Sequence, residues 1–582
     1  MRKKKTLKRE LLAQRGLVEK RIAILGGSTT HDIAEMLELF LLNYGILPTF
    51  YEGEYARYWE DAMFGNPELD DFNPDVVFVH TSSRNLRQWP SPEMTAENID
   101  DLFTQTVAPF EKMWAVLADK FHCPIIQNNF EYLPYRLLGN YDAGDVHGRT
   151  NFITRLNARI AAWARGHDGF LVNDINWQSA DFGLSRWYDP FCWYMYKYAL
   201  SLEANPTLAF NVASIVKSMF GKNKKALALD LDNTLWGGVV GDDGPENLEL
   251  GTETAVGQAY TEFQTYLKEL AKQGVLLNVI SKNEPENAKA GLAHPQMVLK
   301  EGDFISIKAN WEPKSQNLVN MANELSLLPE SFVFVDDNPA EREIVKQQVP
   351  GAAVPDIGKV EDYISAVDHG GYFEVTKLSK DDIKRNAMYK ENAVRAQLQA
   401  SFNDYGAYLD SLQMTAEIKP FEPVYMSRIA QLTNKSNQFN LTTRRYTQEE
   451  IELAAADSAF ITRYGELVDR FGDNGVVAIS IGQMKGDVCE LILWLMSCRV
   501  LKRDMEFAMM DEVVAAAVVK GARTIRGFYY PTAKNGMVKN FYELQGFTKT
   551  SEDEAGNTVW ELDVSAGYAK KNSHIQVNGA NN

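Results

Sequence analysis

The stretch that most constrains this chain is Lys225-Ala-Leu-Ala-Leu-Asp-Leu-Asp-Asn-Thr-Leu-Trp236. Its small and apolar residues Ala226 to Leu229 suit a strand buried on both faces, because the run offers no polar side to water. That strand delivers Asp230 and Asp232 to its C-terminal end, the edge at which open α/β sheets bind ligands. Alternation puts both carboxylates on one side of the pleat, about 7 Å apart along the backbone. Two such charges converge at least cost on a divalent cation and a phosphoryl group. Aspartate also suits attack on phosphorus, since a carboxylate with a pKa of about 3.9 is already ionised at neutral pH. A structural Ca²⁺ or capping cluster is the other reading the pair allows by itself.

Three later stretches repeat the arrangement. Leu276-Leu-Asn-Val-Ile280 reads as a second buried strand, ending in Ser281-Lys-Asn283. Trp311-Glu-Pro-Lys314 precedes a helical run over 315–325. Phe332-Val-Phe-Val335 reads as a third strand, ending in Asp336-Asp337-Asn338-Pro339, paired acids able to complete an oxygen shell around Mg²⁺. With Asp-x-Asp-x-Thr at 230–234, the four stretches resemble motifs I to IV of the haloacid dehalogenase (HAD) superfamily, in order. The resemblance implies Asp230 as nucleophile and Asp232 as acid and base. It implies Mg²⁺ held by Asp230, the backbone carbonyl of Asp232, and Asp336 or Asp337. Ser281 and Lys314 would hold the transferring phosphoryl group, the lysine as a point charge, with Asn233 and Thr234 in the same phosphate-binding set.

The chain has 582 residues, enough for several domains, and 45% hydrophobic residues, enough for large cores. A net charge of −18 argues against nucleic acid or an anionic membrane as the main partner. The basic start, Met1-Arg-Lys-Lys-Lys5, reads as the solvated beginning of a helix over 7–17 within an N-terminal segment, 1–18. No apolar run reaches the roughly 18 residues of a membrane span. Cys123, Cys192, Cys489 and Cys498 form no CxxC pair, so a cytoplasmic location with reduced thiols is the expectation.

Residues 19–203 alternate strands (21–25, 76–79, 124–126, 169–172) with helical patterns such as 31–43, a doubly wound α/β domain. Its strand followed by Gly26-Gly-Ser28 resembles the first block of SGNH-type esterases, but Gly27 replaces the aspartate and Asp174-Ile-Asn-Trp177 lacks the closing histidine. Without that base Ser28 keeps its proton, so a scaffold without hydrolase chemistry is expected. His31 and His80 are the possible substitutes. Trp177, Trp187, Tyr188, Trp193, Tyr194, Tyr196 and Tyr198 are expected in the core or at a domain interface.

Residues 224–357 carry the four motifs, with only a flap at 236–244 and a helix over 256–273 between the first two, leaving no room for a cap domain. The wording Asp-Leu-Asp-Asn-Thr-Leu-Trp-Gly-Gly-Val from Asp230, with Val335-Asp-Asp-Asn-Pro-Ala-Glu-Arg342, resembles the capless FkbH-like branch, subfamily IIIC. So do Ile429-Ala-Gln-Leu-Thr-Asn-Lys-Ser-Asn-Gln-Phe-Asn-Leu-Thr-Thr443 and Ser497-Cys-Arg-Val-Leu501, beyond a helical connector at 358–411. Residues 412–564, with strands at 476–481, 489–495 and 524–530 and a helix over 505–520, resemble the N-acetyltransferase (GNAT) fold. The pyrophosphate loop of that fold corresponds to Arg499-Val-Leu-Lys-Arg-Asp504, whose glycine positions hold Lys502 and Asp504, which argues against ordinary acetyl-CoA chemistry. A polar tail fills 565–582.

The expected architecture is thus α/β and multidomain: a capless, Rossmann-like HAD parallel sheet between an SGNH/flavodoxin-like α/β domain and a GNAT-like α+β domain. The FkbH-like resemblance implies that a phosphoglyceryl group is dephosphorylated and passed to the phosphopantetheine thiol of an acyl carrier protein. Cys498, beside Arg499, is the candidate acyl station; a small buried hydrophobe is its other reading. Two alternatives stand: a stand-alone phosphatase on a sugar or other phosphorylated metabolite, and a non-catalytic assembly module.

Overall fold

Short apolar runs punctuated by Gly, Asn and Pro build three sheets among the described residues of a computed structural model of this chain. It describes residues 2–13, 16–532 and 534–578, with the side chains of Arg2, Gln397 and Cys498 outside that description. The chain divides into two units, Met1–Met219 and Phe220–Asn582.

The first unit is a five-stranded parallel sheet of β1 (Val18–Gly26), β2 (Ile46–Glu52), β3 (Val76–His80), β4 (Ile125–Asn128) and β5 (Phe170–Asn173), in the order 2-1-3-4-5. This is the flavodoxin-type winding, with its switch point between β1 and β3. β2 goes unread in the sequence because Pro48 interrupts it. It stands at the sheet edge, where a residue without an N–H is tolerated. The first helix is Arg2–Leu12 rather than 7–17. The basic residues sit on the helix, where Lys4 and Lys8 pair with Glu35 and Glu38. Of the aromatic group, Trp187 is buried, but Trp177, Tyr194 and Tyr196 stand exposed rather than in the core.

In the second unit β6 (Ala226–Leu229), β7 (Leu276–Ser281), β8 (Ser306–Ala309) and β9 (Phe332–Val335) form a parallel sheet in the order 8-7-6-9. Every residue of β6 is fully buried, with Leu227 and Leu229 packing against one layer and Ala226 and Ala228 against the other. The same unit holds an eight-stranded mixed sheet in the order 15-16-14-13-12-11-10-17. Its strands are β10 (Met414–Lys419), β11 (Phe460–Asp469), β12 (Gly472–Lys485), β13 (Val488–Met496), β14 (Thr524–Tyr529), β15 (Thr548–Glu552), β16 (Thr558–Asp563) and β17 (Ile575–Asn578). The polar tail therefore supplies an edge strand, β17 pairing parallel to β10. Helices Lys380–Ala400 and Tyr405–Ser411 connect the two sheets. Among the described residues no helix is long and apolar enough to cross a membrane.

Candidate active site

Register brings the acids together. Leu229 is level with Val335 across β6 and β9, so Asp230 and Asp336 leave the sheet side by side, and the Asp230 N–H donates to the Val335 carbonyl at 3.0 Å. Lys314, the first residue of the helix Lys314–Glu324, reaches into the same place. Its Nζ lies 2.8 Å from Asp230 Oδ2 and 2.5 Å from Asp336 Oδ2. Asp230, Asp336 and Asp337 each offer a carboxylate oxygen within 4.8 Å of the others. Three carboxylates against one ammonium leave two negative charges in a buried place.

The electrostatics follow from that crowding. Burial, then the charge of Asp230, pushes Asp336 up to about 6 against the pull of Lys314. Burial and Asp230 raise Asp337 as well. Burial opposes the Lys314 ammonium, yet Asp230 and Asp336 outweigh it and hold its pKa above the ordinary lysine value. Asp230 Oδ1 is buried without a hydrogen-bond partner. An orphaned carboxylate oxygen amid three converging acids is costly unless a cation meets it. The all-oxygen donor set fits a hard divalent ion such as Mg²⁺, whose charge equals the local excess.

Asp232 is placed otherwise. Its Oδ1 accepts from Trp236 Nε1 at 2.9 Å and from the Val240 N–H at 3.0 Å, and its Oδ2 accepts from Asn283 Nδ2 at 2.8 Å. Its side chain is thus outside the converging trio. Burial raises its pKa, with Asp230 adding and the three donors opposing. Ser281 closes β7 one register step beyond the level of Asp230 and is buried. Thr234 is fully buried, and its Oγ1 accepts the Asp337 N–H at 3.2 Å, tying two loops together. Asn233, at φ +53°, accepts the Gly238 N–H on its Oδ1 at 3.1 Å, which fixes the flap. Trp236 is fully buried and lies so close to Gly291 that a Cβ there would come within 2.7 Å of its ring.

Several supporting groups have no role in the sequence reading. Arg342 donates to the carbonyls of Asp336 and Asp337 at 2.8 and 2.7 Å, fixing the loop that presents both acids. Tyr260 and Tyr363 donate to the Asn233 carbonyl at 3.2 and 2.9 Å. Asn283, two residues past Ser281, was visible at a strand end; its partner became known only from the fold.

Ser28 is buried with its Oγ unpartnered, whereas His31 is exposed beside Glu52. His80 is buried, its Nδ1 2.9 Å from the Asn128 amide, and burial lowers its pKa to about 4. Lys502 and Asp504 adopt φ +62° and +59°, the left-handed backbone that glycine would give, while their side chains occupy the loop. β13 and β14 pair only over Val488–Leu491 and Thr524–Gly527. Beyond that they part, and residues 439–442 fill the gap. Leu441 donates to the Trp494 carbonyl at 3.0 Å and accepts from the Tyr530 N–H at 2.9 Å, so both open strand edges are occupied. The side chain of Cys498 lies outside the described residues; Arg499 donates from Nε to Ser497 Oγ at 3.1 Å.

A profile of the family described as "FkbH, N-terminal domain" matches residues 21–217. Among solved structures the chain is similar to the N-terminal part of the protein BF1531 from Bacteroides fragilis, containing a phosphatase domain complexed with Mg. Identity is 30% over 64% of this chain and 99% of that chain, with a TM-score of 0.59. The ribosomal-protein-S18-alanine N-acetyltransferase from Escherichia coli covers 27% of this chain and 99% of its own at 12% identity and a TM-score of 0.21. The PaiA N-acetyltransferase from Thermoplasma acidophilum, in complex with coenzyme A, covers 26% and 99% at 14% identity and a TM-score of 0.21. A comparison with curated proteins finds no match.

Proposed function

Because the chain belongs to the family of BF1531, whose N-terminal part contains a phosphatase domain, and matches FkbH, N-terminal domain, at residues 21–217, we propose that it is a Mg²⁺-dependent HAD-type phosphatase. The observation that carries the reading is the convergence of Asp230, Asp336, Asp337 and Lys314 at the C-terminal ends of parallel strands. Asp230, Asp336 and Asp337 would hold the ion, with the carbonyl of Asp232 as a further oxygen. When bound, it supplies positive charge against the phosphoryl oxygens.

In this reading the substrate is a phosphorylated small molecule. Asp230, buried at the end of β6, attacks phosphorus and becomes an aspartyl-phosphate as the leaving oxygen departs. Asp232, its pKa raised, gives that oxygen a proton and then takes one from the hydrolytic water. Lys314 and Ser281 orient the phosphoryl group and offset its charge. Asn283 and the Trp236 indole hold the Asp232 carboxyl in one rotamer, so proton transfer begins without reorganisation. Asn283→Ala is therefore expected to lower kcat on p-nitrophenyl phosphate about tenfold with KM little changed. A fall in kcat/KM carried by KM alone would remove the positioning role.

The finer reading takes the substrate as a phosphoglyceryl group and the acceptor as an acyl carrier protein, supported by the FkbH match and by the stretches at 429–443 and 497–501. Phosphate release with Mg²⁺ and with EDTA tests the first level: turnover that persists in EDTA refutes it. Intact-mass spectrometry after mixing with a phosphoglycerate donor and a carrier tests the second. A glyceryl adduct on the carrier is expected; phosphate release with an unmodified carrier leaves a stand-alone phosphatase.

A further inference from the structure

Two clusters of arginines gather on the helix Lys380–Ala400, each with partners from other elements, and they differ in charge balance. In the first, Arg395 and Arg503 meet the two oxygens of Asp469 at 2.7 and 3.0 Å, and Glu391 lies 3.4 Å from Arg395. Two cations face two anions, and Asn392 Oδ1 accepts from both guanidiniums, at 2.8 and 2.5 Å.

The second cluster is not balanced. Arg428 and Arg499 both approach a single oxygen, Asp381 Oδ2, at 2.7 and 3.6 Å. Beside them Arg385 and Lys435 share Asp382, the lysine at 3.3 Å. Four cations thus face two anions. The donors differ less than the charges do. Arg428 Nε is buried without a partner, as Arg395 Nε is in the first cluster, while Arg428 Nη1 donates to Gln431 Oε1 at 2.5 Å. Arg499 Nη1 meets the thioether sulfur of Met388, an acceptor far weaker than oxygen. Both guanidinium groups and Asp381 Oδ2 are buried, while Lys435 and the rest of Asp381 keep a quarter to a third of their side-chain surface in water, at the rim of the cluster.

We propose that Arg428, Arg499 and Lys435 form a second anion site, taking a phosphoryl dianion. A charge excess of two matches a phosphate ester near neutral pH, which carries about −1.5 to −2, and guanidinium forks suit its oxygens. Nucleic acid is disfavoured, since the chain as a whole carries −18. The site shares no residue with the aspartate cluster, so the proposal stands or falls apart from the phosphatase reading.

The probe is inorganic phosphate in EDTA, against chloride at equal ionic strength, read by equilibrium binding and thermal shift on the full chain. Wild type is expected to bind phosphate and melt a few degrees higher in it. Lys435→Met weakens binding about tenfold and leaves p-nitrophenyl phosphate turnover unchanged. Because it removes a repelling cation, it melts in chloride no lower than wild type. Asp381→Asn removes a competing carboxylate and tightens phosphate binding, a direction that a merely structural ion network would not give. No phosphate binding by wild type, unaltered binding by Lys435→Met, a chloride Tm for Lys435→Met below wild type, or weaker binding by Asp381→Asn each overturns the site.

Discussion

Asp230→Asn is expected to lower p-nitrophenyl phosphate turnover about 10⁴-fold while the protein stays folded. The amide has nearly the shape of the carboxylate, so the packing around β6, whose residues are fully buried, has no reason to change. What changes is chemistry. An amide oxygen does not form a stable ester with phosphorus, and the local charge falls from two negative to one. The loss of the 2.8 Å ion pair with Lys314 is offset by relief of the crowding that raises Asp336 and Asp337. Circular dichroism and thermal melting should therefore match wild type. Mass spectrometry of the protein quenched during turnover should find the added phosphate in wild type and not in the variant. Turnover near the wild-type rate in a folded Asp230→Asn protein would dismiss Asp230 as nucleophile.

The parts of the fold legible in the sequence were those whose residues suffice locally. β6, β7 and β9 are apolar runs closed by an acid or a serine, and their buried, parallel arrangement leaves little else for such runs to become. The helix His31–Asn43 was readable from its apolar spacing and the Gly-Gly-Ser-Thr-Thr turn before it. β17 was not, because its four residues are a strand only by pairing with β10, which lies far away in the chain. The candidate site divides in the same way. Which acids stand at strand ends could be read; what each side chain touches could not. Thr234 and Asn233 carry polar groups beside the nucleophile position, and their bonds to the Asp337 and Gly238 N–H groups could not be read from the chain. The Asn283 to Asp232 bond spans 51 residues and depends on the register of β6 with β7. The same holds for Arg428 and Arg499, whose shared approach to Asp381 joins a connector, a helix and a turn that no local pattern relates.

Lys314→Met is expected to cost about 3 kcal/mol of stability in EDTA at pH 7.5, because breaking a buried ion pair strands its partners without compensation. Lys314, Asp230 and Asp336 have side chains 5%, 9% and 0% exposed, so water cannot make good the lost ammonium. Three carboxylates would then share one buried place with no cation among them. The pH dependence follows from Asp336, whose folded pKa of about 6 lies above its unfolded value. A group shifted that way favours the folded state below its unfolded pKa and loses that contribution as pH rises through about 6. Removing Lys314 raises Asp336 further, so the cost of the substitution is largest above pH 6 and shrinks toward pH 4. Mg²⁺ acts on the same charges. The variant lacks the one positive charge that wild type sets against these acids, so saturating Mg²⁺ should restore a larger share of its stability than it adds to wild type. Catalysis does not recover with it, since the ammonium that offsets the transferring phosphoryl group is gone. Equal melting of the two proteins in EDTA at pH 7.5, or a gap that widens toward pH 4, would mean that the three acids do not converge on Lys314.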